Sequence, residues 1–334
     1  MDEAKKIIKE IRAKNYHPIY FLMGEEPYFI DVISDYIQNN VLEEHERDFN
    51  QTIVYGKDTS VDEIVSASKR FPMMAEHQVV IVKEAQHLTK TIDHLESYAE
   101  NPLKSTILVF CYKYKKLDKR KKVSKLLAKN GLVFESKKLY ENQIGNFIDR
   151  VMTSKGYAIE PKASFMLAEF LGTDLGKISN ELEKLQLILP KGTTVTPKVV
   201  EENIGISKDF NVFELNGALG NKNVLKAQRI CTYFTQNTKA YPLPMIIPQL
   251  FNFFSKVMQY HGLTDKNKNA VASELKVNPF FVKDYVVAAG NYPMKKVSYI
   301  IEKILDADLK SKGVGATPLA QRDILKELMV QILN

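Results

Sequence analysis

The stretch Ser66-Ala-Ser-Lys-Arg-Phe-Pro-Met-Met-Ala-Glu-His-Gln-Val-Val-Ile-Val-Lys-Glu-Ala-Gln86 decides how the rest of the chain reads. It joins the end of a helix (61–70) to a buried strand (79–82). Between them Phe71, Pro72, Met73 and Met74 stand where a connection should be polar. A loop runs over the surface, so four apolar residues there need a partner, either this chain's own sheet or another protein. The strand closes on Lys83-Glu84. Two acidic residues at that place would suit the magnesium of a bound nucleotide, whereas Lys83 puts an ammonium where an oxygen ligand belongs.

The segment before it supports the same reading. Tyr20-Phe-Leu-Met23 is a short apolar run followed by Gly24-Glu25-Glu26-Pro27-Tyr28-Phe29-Ile30-Asp31. A phosphate-cradling loop needs Gly-Lys-Ser/Thr there, so that backbone N–H groups and the lysine hold phosphates. Counted from Gly24, Phe29 takes the second glycine's place, Ile30 the lysine's and Asp31 the hydroxyl's. Glu25 and Glu26 would repel phosphate and Pro27 lacks a donor. Either the domain is a nucleotide pocket that has lost its chemistry, or it never was one. The residues alone leave both open.

Around this centre the first ~135 residues alternate strand and helix in segments of ordinary length. Further strands are expected at 50–55, 106–110 and 132–134, and a helix over 117–129 with Leu117, Leu126 and Leu127 inward. That alternation implies a parallel sheet with helices on both faces. After Tyr140 the strands disappear. One helix is marked by Ile144, Phe147, Ile148, Val151 and Met152, and another by 165–171. A third is capped by Asp174, with Leu175, Ile178, Leu182, Leu185 and Leu189 inward. Gly205 and Ser207–Asp209 make the next boundary, and helices follow from Asn211 onward, the last over 318–333. The expected domains are 1–139, 140–207 and 208–334.

With 334 residues, 45% hydrophobic and 26% charged, the chain has the composition of a globular protein of two or three domains. No apolar run reaches the ~20 residues of a membrane span, and the amphipathic N-terminus is not a signal peptide. Two distant cysteines, Cys111 and Cys231, favour neither a disulfide framework nor a zinc site. A cytoplasmic protein without metal or cofactor is expected. Six scattered histidines and carboxylate pairs such as Glu201-Glu202 offer no catalytic spacing.

The net charge of +7 is concentrated in one place. Lys113–Lys129 holds nine basic residues and one acid, Asp118, a local charge of +8 that leaves −1 for the rest. Lys115, Lys116, Lys119, Arg120, Lys121, Lys122 and Lys125 are candidates for DNA phosphate contacts, which need positive charge and no base specificity. A solvated helix face explains the same run.

Several stretches are loose singly but collinear over nearly the whole chain: Tyr20-Phe-Leu-Met-Gly-Glu-Glu-Pro-Tyr28, Phe71-Pro-Met-Met-Ala-Glu-His-Gln-Val-Val80, Lys116-Leu-Asp-Lys-Arg-Lys-Lys122, Asp174-Leu-Gly-Lys-Ile-Ser-Asn-Glu-Leu-Glu-Lys-Leu185 and Asn211-Val-Phe-Glu-Leu215. To these add Pro248-Gln-Leu-Phe-Asn-Phe-Phe254, Leu275-Lys-Val-Asn-Pro-Phe-Phe-Val282 and Asp306-Ala-Asp-Leu-Lys-Ser-Lys-Gly313. In that order they resemble the delta subunit family of bacterial DNA polymerase III. The resemblance implies an AAA+-like α/β domain, a small helical lid and a helical collar that joins a clamp-loader pentamer. It implies a subunit with no intrinsic activity that binds the sliding clamp and holds one interface open during DNA replication. The implied partners are that clamp, the gamma/tau ATPase subunits, delta-prime and primer-template DNA. The family's apolar clamp-contact pair falls on Met73 and Met74, within Phe71–Met74, where some members carry Leu-Phe. The lid arginine that senses nucleotide in active relatives falls at Gly176. The rival readings are a stand-alone DNA-binding protein using 113–129 and an active P-loop ATPase.

Overall fold

The computed structural model describes residues 2–205, 207, 209–314 and 319–334. Lys208, where the collar is expected to begin, and Pro318, expected to open the last helix, lie outside the described residues. The chain forms two compact units, Met1–Leu139 and Tyr140–Asn334.

The first unit runs α1 (Asp2–Arg12), β1 (Ile19–Gly24), α2 (Pro27–Asn40), α3 (Glu44–Asn50), β2 (Gln51–Tyr55), α4 (Val61–Ser68), β3 (Gln78–Lys83), α5 (Glu96–Glu100), β4 (Thr106–Lys113), α6 (Lys122–Asn130) and β5 (Leu132–Ser136). Its five strands form one sheet in the order β2-β3-β4-β1-β5, every pairing parallel. Alternate side chains of a strand face opposite ways. Ile19, Phe21, Met23, Val80, Val82, Leu108 and Phe110 therefore share one face, packed with Val61, Ile64, Leu95, Val123 and Leu127. Tyr20, Leu22, Val79, Ile81 and Val109 turn the other way and are equally buried. On that side α2 meets β1, β3, β4 and β5, contributing the buried Phe29, Ile30, Ile33 and Ile37. This is the α/β arrangement expected, a parallel sheet covered on both faces.

The second unit runs α7 (Glu141–Ser154), β6 (Ala158–Ile159), α8 (Pro161–Leu171), α9 (Leu175–Ile188), β7 (Thr194–Val195), α10 (Pro197–Ile204), α11 (Val212–Gly220), α12 (Val224–Gln236), α13 (Leu243–Gly262), α14 (Lys268–Glu274), α15 (Val282–Asn291), α16 (Met294–Ser311) and α17 (Gln321–Leu333). The Asp174 side chain accepts the Lys177 N–H, capping α9 as its sequence indicates. Leu175, Ile178, Leu182 and Leu185 are buried, while Leu189 falls beyond the helix end and is half-buried. From Val212 on, one core runs through α11–α17 and takes in the rings of Phe234, Phe254 and Tyr292.

Further expectations need correction. Strands do not vanish after Tyr140, because β6 and β7 pair in parallel as two-residue strands. The helix expected over 117–129 begins at Lys122. Asp118 accepts the Arg120 N–H at 2.9 Å, a local turn that competes with helix before that point. Within α6 the inward residues are Val123 and Leu127, with Leu126 only half-buried. The helix before the apolar turn stops at Ser68, short of Arg70: the Arg70 N–H turns to the Ala67 carbonyl, and Gln78, Thr106 and Tyr98 hold the Ser68 carbonyl that Pro72 has no N–H to meet.

Gly24 sits at φ +131, and a Cβ there would lie 2.0 Å from the Ser136 carbonyl oxygen. Only glycine lets β1 turn into α2 beside β5. Gly24→Ala is expected to lower unfolding free energy by about 2–4 kcal/mol, combining backbone strain with overpacking. Urea denaturation followed by far-UV circular dichroism measures it, and a change below 0.5 kcal/mol would contradict the turn's geometry.

Candidate functional site: an apolar knuckle and a closed crevice

In open parallel sheets, ligands bind in the crevice beyond the carboxyl ends of the strands. Here that crevice is filled by the chain's own charges. Asp31 and Asp35, one turn apart on α2, face the ends of β4 and β3. Lys113 Nζ lies 2.9 Å from Asp31 Oδ1 and 3.2 Å from Glu84 Oε1. Lys83 Nζ lies 2.7 Å from Asp35 Oδ1. Lys83, placed by sequence in a metal-ligand position, is thus half of an ion pair.

The turn that would hold phosphates is likewise occupied. Gly24 N–H donates to Lys115 O at 3.0 Å, and Tyr114 N–H donates to Gly24 O at 2.7 Å. The continuation of β4 therefore lies across the β1–α2 turn. Glu26, 5% exposed, turns its carboxylate onto the Tyr28 N–H at 3.1 Å. A helix N-terminus is a ready anion site, and in this chain a carboxylate of its own fills it. Ile30, standing where a phosphate-binding lysine would be, is fully buried.

Burial pushes the Glu84 carboxyl up, but hydrogen bonds from Gln86 and Lys113, with the Lys113 charge, outweigh it and leave it below its ordinary range. Burial likewise works against the Lys113 ammonium, and Asp31 and Glu84 overcome it, raising its pKa.

The apolar turn stands apart from this crevice. Phe71 is 75% exposed, Met73 62% and Met74 fully, with Pro72 half-buried. The side chains do not cap the sheet. Their stems are fixed: Gln78 Nε2 donates to Thr106 Oγ1 at 2.8 Å and also reaches the Arg70 carbonyl. Thr106 Oγ1 donates to Ser68 O at 2.8 Å. Past the tip, His77 packs edge-on against Tyr16, with ring centroids 5.1 Å apart. A stiff stem thus carries a solvated, oily tip.

The basic run behaves differently from its sequence. Lys116 pairs with Glu25 and Glu135, Lys119 with Glu135, Arg120 with Asp118, Lys121 with Asp93, and Lys122 with Glu96 and Glu100. With Lys113, six of the nine basic groups have carboxylate partners. Lys115, Lys125 and Lys129 have no ion pair among the described residues. Folding brings distant acids onto a segment that is nearly all cationic in sequence.

Several residues of this constellation escape sequence reading. Asp31 and Asp35 at i, i+4 spacing, with lysines ending two strands, were the available signal for the crossed ion pairs. Asn50, read as the start of a strand, ends α3 instead and bonds to Met73 from 23 positions away. No local pattern marks that contact. Among the described residues no cluster of His, Cys, Asp and Glu could hold a metal ion, and no helix is long and apolar enough to cross a membrane.

Residues 20–137 match the family model described as DNA polymerase III, delta subunit, and residues 209–329 match that of the same subunit's C-terminal domain. The chain belongs to the DNA polymerase III delta-subunit family. It is 27% identical over 337 residues to DNA polymerase III subunit delta of Bacillus subtilis (strain 168), covering 98% of this chain and 96% of that protein. It shares its fold with the solved structure of the Bacillus subtilis DNA clamp loader delta protein, at a TM-score of 0.56 and 24% identity over 99% of both chains. Within the delta family, then, this α/β unit closes its crevice with lysine–carboxylate pairs.

Lys113→Met leaves Asp31 and Glu84 adjacent without their cation. We expect a loss of about 1–3 kcal/mol at pH 7. A lowered carboxyl pKa adds stability that is present above the ordinary carboxylate range and lost as pH falls through the folded value. The gap between variant and wild type should therefore narrow as pH drops through the depressed range of Glu84. Chemical denaturation at pH 7 and at pH 3 checks it; a gap that widens in acid would refute the pairing.

Proposed function

We propose that this chain is the clamp-binding subunit of a bacterial clamp loader and acts during DNA replication by mechanical contact, without catalysis. One observation carries the reading: the fully exposed Met74 and its neighbours Phe71 and Met73 project from a braced stem. Delta-family membership makes a sliding clamp the natural occupant. Phe71, Pro72, Met73 and Met74 would enter an apolar pocket of that ring and hold one of its interfaces open. Thioether chains adapt to irregular pockets, and burying two of them is worth roughly 3–6 kcal/mol before the costs of association.

In this proposal residues 140–207 serve as the lid and 208–334 as the collar that assembles with the gamma/tau ATPase subunits and delta-prime. No ATP binding or hydrolysis is expected, because the crevice already holds Asp31, Asp35, Lys83, Glu84 and Lys113 in mutual pairs. Primer-template DNA would meet the loader in part through Lys115 and Lys125, with Lys116, Lys119, Arg120, Lys121 and Lys122 exchanging carboxylate for phosphate. Exposed pairs of that kind are weak enough to exchange. Stand-alone DNA binding is the poorer reading, since the same acids lower the field that free DNA would meet.

Replacing Met73 and Met74 together by alanine is expected to weaken binding to a bacterial sliding clamp at least about 100-fold, with an unchanged melting curve. Surface plasmon resonance measures the affinity, and wild-type binding by the double variant would sink the proposal. Titrating ATP with magnesium in a calorimeter should give no saturable heat; a saturable isotherm would mean that the crevice opens.

A further inference from the structure

The tip itself is held from outside its own loop. From Phe71 to Glu76, Met73 is the one residue whose backbone is hydrogen-bonded among the described residues. Both of its peptide groups go to one side chain. Met73 N–H donates to Asn50 Oδ1 at 2.7 Å, and Asn50 Nδ2 donates to Met73 O at 2.9 Å. The same Nδ2 also donates to Glu46 O at 3.0 Å, and the Asn50 residue is only 4% exposed. The next residue, Met74, has φ +54, a left-handed conformation that a non-glycine residue keeps only when its surroundings impose it. The residues flanking Asn50 are in turn tied to α2. Arg47 Nη2 donates to Asn39 O at 2.8 Å, and Gln51 Nε2 donates to Gln38 O at 2.7 Å.

We infer that Asn50 is a positioning residue: its amide grips the Met73 peptide and holds Met74 in the left-handed turn that presents both methionines to a protein partner. This rests on the proposed clamp contact and assigns it a regulator of tip geometry outside the apolar loop. A buried, satisfied asparagine is commonly structural. Here the segment it satisfies has no other backbone hydrogen bond and carries the exposed side chains. Without the grip, the tip samples many conformations, and apparent affinity falls with the fraction still competent to bind.

The test uses the full chain and a bacterial sliding clamp. Asn50→Ala is expected to bind the clamp about tenfold more weakly. Amide exchange at Met73 and Met74 should speed up while amides of β1 and β4 keep their protection. Asn50→Asp keeps an acceptor for the Met73 N–H but sets a carboxylate oxygen against the Met73 and Glu46 carbonyls, and should also exchange faster at Met73 and bind more weakly than wild type. Wild-type affinity in Asn50→Ala, beside lost binding when Met73 and Met74 are both alanine, overturns the positioning role and leaves the proposed function standing. Unchanged binding by that methionine double variant overturns the proposed function itself. If Asn50→Ala does not fold, Asn50→Asp decides, and wild-type affinity with wild-type exchange at Met73 counts against the role.

Discussion

Everything in the first unit is arranged around the pairing of two strand-end lysines with carboxylates one helical turn apart. Asp31 and Asp35 lock α2 to the ends of β4 and β3 through Lys113 and Lys83. A crevice of this kind is where parallel sheets exchange ligands with solvent. Once its charges satisfy each other, admitting a triphosphate means breaking partly buried ion pairs and stranding their partners. The residues that close the crevice add to the hold that the buried Phe29, Ile30, Ile33 and Ile37 give α2. Through Arg47, Gln51 and Asn50 the fixed helix holds the chain's exposed apolar tip.

Under the proposed function that coupling has a physical sense. A nucleotide-driven subunit needs an α2 that responds to phosphate. Here the helix N-terminus already has the Glu26 carboxylate, and Ile30 lies in the core. A static helix suits a contact that must be ready before its partner arrives, because a preformed tip loses less conformational freedom on binding.

The fold was legible where a pattern is local. Alternating strand and helix signals gave the parallel sheet, and the three-four spacing of Leu175, Ile178, Leu182 and Leu185 gave α9. The apolar turn at Phe71–Met74 was visible because its composition is wrong for a loop, although residues alone could not say whether it faced in or out. Exposure is a property of the fold. The charge on Lys113–Lys129 was misleading for the same reason, since Glu25, Asp93, Glu96, Glu100 and Glu135 neutralise it from other segments. Short local effects set the remaining errors: an Asp118 turn delays α6, and two residues at each of β6 and β7 are too few to leave a periodic trace. Asn50 carried no signal, because a single side chain satisfying a peptide 23 residues away obeys no spacing rule.

The sheet order has a further consequence. β1 is made early, yet its neighbours are β4 and β5, with Ile19 opposite Leu108 and Tyr20 opposite Leu132. A chain leaving the ribosome N-terminus first must keep this apolar strand unpaired until β4, which ends at Lys113, has emerged. At roughly 5–20 residues per second, that wait lasts on the order of five to twenty seconds. Closure of the unit is therefore timed by synthesis, and the nascent segment around Ile19–Met23 is the part of this protein that most needs shielding while it waits.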